Sequence, residues 1–301
     1  MVEATWHCPT CKTSVTTRFC PRCGEEPLKP RELTLHGFAE KAVHAFTSVD
    51  ARTLRSVRTL ILRPGELTLA WLQGVRKPYV LPLSLFLIAN LAFVAAQLLT
   101  GQHVFNSSLA SHLYHQDWSG VAQSLVARRL NGTGRTIEEY APIFDRRVAL
   151  NAKSMVVMMS LAFSLLLPVV FRREKRPFMV HVVYSLHFYA FLLLLMSAAL
   201  LVAGLGELLG FGGIDTPIVD NVSSVAMVLI CAYYLYRAVV PVYGIHGGVR
   251  ALSAVILVVA VAALVLAYRF ALFFWPGFAF HCPPPLCRDL FLNCSVPLPA
   301  S

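Results

Sequence analysis

Acidic residues are scarce in this chain: 16 Asp and Glu stand against 26 Lys and Arg, and charge of both signs makes up only 14% of 301 residues. With 56% hydrophobic residues and a mean hydropathy of +0.62, that scarcity excludes an ordinary soluble domain. No Asp or Glu falls inside any of the long apolar runs. Proton-coupled transport usually needs carboxylates at membrane depth, so the lack argues against a coupled pump. Catalytic signatures are missing too: there is no nucleophile elbow, phosphate loop, metalloprotease helix or paired-carboxylate motif. No Gly-x-x-x-Gly lies at the middle of an apolar run, which leaves oligomeric state open. A short charged leader is lacking as well, so the first apolar run, starting near Val80, is expected to direct insertion itself.

What is present is membrane-spanning sequence. Five apolar runs, at about 80–99, 154–171, 181–205, 222–242 and 251–275, are each long enough for a helix to cross roughly 30 Å of hydrocarbon. The expected fold is an all-α integral membrane protein with five transmembrane helices, a small N-terminal ribbon held by four cysteines, and a cytoplasmic amphipathic helix. Residues 1–30 form the ribbon in this reading, 31–79 the interfacial segment and 80–275 the spanning domain, with an external loop at 100–153. An external tail rich in Cys and Pro fills 276–301.

Orientation follows from the basic residues. Twelve Lys and Arg precede the first run, and Arg172, Arg173, Lys175 and Arg176 fill the short link between the second and third. Arg237 and Arg250 bracket the link between the fourth and fifth, whereas the link between the third and fourth has none. Cytoplasmic loops retain positive charge, so the N-terminus is expected inside and the C-terminus outside. The loop at 100–153 carries five arginines, which a loop of that length tolerates on the far side.

Cys8-Pro9-Thr10-Cys11 and Cys20-Pro21-Arg22-Cys23-Gly24 are two knuckle-like pairs. Four thiolates at this spacing close a tetrahedral shell and leave no position for water or substrate, so a structural Zn2+ is expected rather than a redox dithiol. Reduced thiols place this end in the cytosol, while Cys282, Cys287 and Cys294 would lie where disulfides form, with one thiol left over. Cys231 is expected to pack as a small apolar residue. Lys12, Arg18, Arg22, Lys29 and Arg31 make the ribbon basic, but only Trp6 and Phe19 offer stacking, so nucleic acid is disfavoured against lipid or a protein partner.

Between ribbon and first span, Leu35, Phe38, Ala42, Phe46 and then Leu54, Val57, Leu60 and Ile61 recur at helical steps, and Arg52, Arg55 and Arg58 form a cationic stripe. This pattern fits a helix lying in the interface or one packed beneath the bundle. Arg52, Arg55, Arg58 and Arg76 are the candidate contacts for anionic lipid or a partner.

Together the ribbon, the run Arg58-Thr59 into Leu62-Arg63-Pro64-Gly65, and Gly74-Val75-Arg76-Lys77-Pro78-Tyr79 resemble the bacterial family catalogued as domain of unknown function 3667. The stretch His181 to Phe191, with Tyr184 and His187, is similar to that family's histidine-bearing span, and Tyr234, Arg237 and Tyr243-Gly244 resemble its fourth-span ending. The resemblance implies a bacterial inner-membrane protein and brings no activity.

Inside the spans, His187 with Tyr184 three residues before it is the candidate polar site, with His181 expected at the interface. A lone histidine without a carboxylate is a poor proton relay, so a hydrogen bond between helices is the expected role. In the external loop His103, His112, His115 and Asp117 have metal-ligand chemistry but read more simply as polar residues at an interface. Two functions emerge. One is a non-enzymatic membrane protein whose ribbon and basic helix dock a protein partner or anionic lipid. The alternative is a membrane enzyme or carrier for a lipidic substrate, with a site near His187.

Overall fold

The structure is a computed structural model that describes residues 5–17, 19–25, 51–101, 109–114, 118–133, 136–209 and 217–278. Leu35, Phe38, Ala42, Phe46, His103, His115, Asp117 and the cysteines at 282, 287 and 294 lie outside the described residues. A two-stranded hairpin, β1 (Trp6–His7) and β2 (Ser14–Val15), opens the chain. The helices are α1 (Ala51–Leu62), α2 (Glu66–Leu72), α3 (Pro82–Thr100), α4 (Leu109–Tyr114), α5 (Ser119–Thr133), α6 (Ile137–Val170), α7 (Phe178–Leu208), α8 (Pro217–Tyr243) and α9 (Gly247–Phe278). The chain forms two compact units, Met1–Val104 with Val156–Val265, and Phe105–Met155 with Leu266–Ser301.

Four helices are long and apolar enough to cross a membrane: Pro82–Thr100, Phe178–Gly206, Val222–Tyr243 and Gly247–Phe274. The fifth run expected from the sequence is the end of α6, where the apolar part Val156–Val170 is shorter, about 22 Å at 1.5 Å per residue. Packing in the first unit bears on that helix. Pro82 at the start of α3 and His187, ten residues into α7, line one cavity. Near their far ends a Cβ on Gly204 would lie 2.7 Å from Thr100 Cγ2. The two helices therefore run parallel, and parallel neighbours require an odd number of crossings between them. Helix α6 is placed to supply it, because it turns back into α7 through the short link 171–177; between the two helices the Ser185 hydroxyl donates to the Ser160 carbonyl at 2.6 Å, and Phe163 packs on Phe188 with centroids 5.4 Å apart.

Helix α8 returns antiparallel to α7 through an aromatic ladder. Phe191 stacks on Tyr234 with centroids 3.9 Å apart and, toward the start of α7, His181 stacks on Tyr243 at 5.6 Å; Phe171, just past the end of α6, stacks on the same Tyr243 at 3.9 Å. The ends of α6 and α8 and the starts of α3, α7 and α9 thus share one face. Arg172, Arg173, Lys175 and Arg176 are exposed on it. Away from this core the spans turn apolar side chains outward, such as Leu98 (72% exposed) on α3 and Val259 (61%) on α9. Such continuous apolar surface belongs in lipid rather than water.

In the second unit the expected loop is helical. Helix α6 begins with a capping box, in which the Glu139 amide bonds to the Thr136 hydroxyl and the Glu139 carboxylate accepts from the Thr136 amide. The Asp145 carboxylate accepts the Leu109 amide at 2.8 Å. His112 is not the polar interface residue expected. It is fully buried among Trp118, Phe144 and Phe273, with ring centroids 6.1, 6.0 and 5.1 Å away. Burial, with Arg269 nearby, pushes its pKa down to about 4, so it is neutral at neutral pH.

Candidate functional site

The two cysteine knuckles are built alike, twelve positions apart. In the first, the Lys12 amide bonds to the Cys8 carbonyl and the Cys8 amide to the Thr13 carbonyl. In the second, the Gly24 amide bonds to the Cys20 carbonyl and the Cys20 amide to the Glu25 carbonyl. Each turn closes with a left-handed residue at the same place, Lys12 at φ 62° and Gly24 at φ 70°. Glycine adopts that conformation freely and lysine at a cost of about 1 kcal/mol. The sulfurs of Cys8 and Cys23, and those of Cys11 and Cys20, approach to 3.4 Å, and all four lie within 4.8 Å of one another. A tetrahedral site with metal–sulfur bonds of about 2.3 Å needs sulfurs about 3.8 Å apart, so the donor set fits a metal ion. The hydroxyl and backbone of Thr13 pull the Cys11 thiol down to about 6, which readies one thiolate. The Glu25 amide favours the Cys23 thiolate, but burial and the three neighbouring sulfurs outweigh it and push that thiol up to about 12. A bound cation removes that repulsion. An ion held there would be structural, since among the described residues the core around the sulfurs is Cys8, Val15 and Cys20 with Trp6 against them.

Glu25, which the sequence reading passed over, joins this ribbon to the membrane helices. Its carboxylate is buried and its Oε2 accepts from the Thr10 hydroxyl at 2.6 Å and from the backbone amides of Arg76 and Lys77 at 3.3 and 3.1 Å. Those amides belong to the loop that leads into α3. A charged acceptor on two amides is stronger than a neutral one, so the ribbon is seated on that loop.

Helix α1 lies on the same face, and its buried side is led by polar residues rather than by the apolar set. Thr53, Ser56 and Leu60 point inward. Of the apolar set Leu54, Val57, Leu60 and Ile61 only Leu60 is buried, while Leu54 is 74% and Ile61 47% exposed. The reason is Ser56, whose hydroxyl donates to the Arg52 carbonyl at 2.8 Å and accepts the Val80 amide at 2.9 Å, capping the entry to α3. At 100° per residue, α1 then has three sides: protein at Thr53, Ser56 and Leu60, exposed apolar at Leu54 and Ile61, and exposed cationic at Arg55 and Arg58 with Arg52 beside them.

Arg76 is not on that open surface. It is half-buried, with its guanidinium carbon 5.3 Å from the Trp71 ring centroid. His187 is buried, and its Nδ1 shares a 2.8 Å hydrogen bond with the Thr68 hydroxyl of α2. Its Nε2 and the Tyr184 hydroxyl meet no hydrogen-bond partner among the described residues. The cavity that His187 shares with Trp71, Arg76 and Tyr79 holds about 10 Å³, room for about a single water molecule. Tyr184 instead packs its ring on Tyr243, and His181, expected at the interface, is buried with Nδ1 2.9 Å from the Tyr243 hydroxyl. Thr68 and Tyr243 were not legible as partners, because neither lies on the same helix as its histidine.

Residues 50–94, which hold α1, α2 and most of α3, match the model of a family described as a protein of unknown function, DUF3667. The resemblance drawn from Arg58 to Tyr79 falls inside that match. The stretches at 181–191 and 234–244 lie beyond it. No curated protein and no solved structure matches the chain. The matched segment is the part that carries the Ser56 cap, Thr68 and the loop amides gripped by Glu25.

Proposed function

We propose that this is a non-enzymatic protein of the bacterial inner membrane, whose zinc-held cytosolic ribbon and interfacial helix α1 form a polar head that docks on anionic lipid. The observation that carries the reading is the three-sided α1. Exposed Leu54 and Ile61 beside exposed Arg55 and Arg58 match a helix whose apolar side enters the head-group boundary while its arginines reach lipid phosphates. Each arginine near an anionic surface contributes about 1 kcal/mol. The basic residues gathered on the ribbon-bearing face support a cytoplasmic position for that face. Phe19, half exposed on the ribbon beside exposed Arg22, favours a protein partner as a second occupant of the head. The reading as a lipid enzyme at His187 draws no support from a cavity that admits about one water.

The test is lipid selection. Wild-type protein and an Arg52→Gln, Arg55→Gln, Arg58→Gln variant are reconstituted into nanodiscs of phosphatidylcholine mixed with phosphatidylglycerol, and the lipids retained around the protein are counted by mass spectrometry. The wild type is expected to enrich phosphatidylglycerol and the variant to lose most of that enrichment while keeping its metal. Equal enrichment by both would overturn the reading.

A further inference from the structure

Three arginines from three different elements converge on one cleft. Arg63 comes from the turn between α1 and α2, Arg237 from the last turns of α8, and Arg250 from the first turn of α9. With Glu66 and apolar walls from Leu62 and Val240 they surround about 310 Å³. The cleft is built rather than incidental. Gly65, at φ 84°, presses the Arg63 turn so closely on α8 that a Cβ there would lie 2.5 Å from the Ala238 carbonyl oxygen. Arg250 is held by a 2.8 Å bond from Nε to the Tyr236 carbonyl and by its guanidinium carbon 3.7 Å from the Tyr236 ring centroid. That leaves its terminal nitrogens without a partner among the described residues. Arg237 has neither ion pair nor hydrogen bond among the described residues.

The one carboxylate present does not neutralise the cleft. Among the described residues Glu66 reaches only Arg63, at 3.5 Å, with both side chains more than half exposed. Such a pair is worth little, and two of the three cations have no counter-charge among the described residues. Guanidinium forks bind phosphate oxygens two at a time, which suits a ligand bearing a phosphate better than a lone carboxylate. The cleft also lies where the apolar stretches of α8 and α9 end, the depth at which lipid phosphates sit.

We propose that this cleft binds a phosphate ester, and that the ester is the head group of an anionic phospholipid whose acyl chains lie along the outward apolar sides of α8 and α9. The inference rests on the reading of this face as the one turned to anionic lipid, and it adds a stoichiometric site to the diffuse attraction of α1. Detergent-purified full-length protein is titrated with short-chain phosphatidic acid, and separately with glycerol phosphate and inorganic phosphate. Arg237→Gln and the Arg237→Gln, Arg250→Gln double variant are compared with wild type, with retained metal and helicity as the check on folding. One phosphatidic acid per chain is expected, bound about tenfold more weakly by the double variant. Arg237→Lys is expected to restore part of what Arg237→Gln loses. Unchanged affinity in the double variant would overturn the site even where α1 proves to select lipid. Lost affinity there, with nanodisc selection indifferent to the α1 arginines, would keep the site and reject the α1 reading. Inorganic phosphate binding as tightly as the lipid would reject the lipid as its source.

Discussion

Replacing Cys20 and Cys23 by serine is expected to release the bound metal and unfold residues 5–25 as a unit. The ribbon has two strands of two residues each and a core of three buried side chains, far below what a domain needs to hold itself. Structural zinc sites supply on the order of 10 kcal/mol or more, so their loss exceeds any stability the remaining contacts provide. The effect should travel. Once Glu25 is no longer positioned, the backbone amides of Arg76 and Lys77 lose their acceptor. Metal analysis of the purified variant should find none where the wild type holds one ion per chain, and hydrogen exchange should quicken at Lys12, Gly24, Arg76 and Lys77 together. Protection at Lys12 and Gly24 that survives in the metal-free variant would contradict the structural role.

Gly65→Ala is expected to have the second largest effect, although it adds a single methyl group. The position lies at φ 84°, and the new Cβ would meet the Ala238 carbonyl oxygen at 2.5 Å, Pro241 Cγ at 2.6 Å and Ala238 Cα at 2.9 Å. Two of those atoms are backbone, which cannot rotate away. The left-handed conformation costs about 1 kcal/mol for a residue with a side chain, and overpacking adds about 2 kcal/mol. Relief requires the turn to lift from α8, which carries α2 and the Thr68 contact to His187 with it. Hydrogen exchange through Leu69 to Gln73 should rise about a hundredfold, as expected for roughly 3 kcal/mol. Unaltered exchange there would mean that the turn is not seated as described.

The parts of this architecture that were legible in the sequence are those encoded locally. Ligand spacing within a knuckle is set by a few residues of chain, so Cys8, Cys11, Cys20 and Cys23 announce their cluster. Long runs of apolar residues announce a span for the same reason. Contacts between distant segments were not legible. Glu25 reads as one of two adjacent glutamates after a knuckle, and its acceptor role depends on amides 51 and 52 positions away. The inward side of α1 was not legible, because the apolar periodicity fits a helix in the interface and one packed beneath the bundle alike, and Ser56 finds its partner only in the Val80 amide 24 positions away. Leu54 and Ile61 stay exposed, and the protein side is led by a serine with a backbone amide to cap. His112 was misread for the complementary reason: histidine in a polar stretch looks like surface until the aromatic rings of Trp118, Phe144 and Phe273 close around it.

The central claim is that α1 lies at the lipid boundary with its apolar side in the membrane and its arginines at the head groups. A photo-crosslinking benzophenone residue placed at Leu54 in one preparation and at Arg55 in another, irradiated in membranes and analysed by mass spectrometry, tests it most directly. The account predicts phospholipid adducts at position 54 and few at position 55. Adducts to water or protein alone at position 54, or lipid adducts equal at both positions, would contradict it.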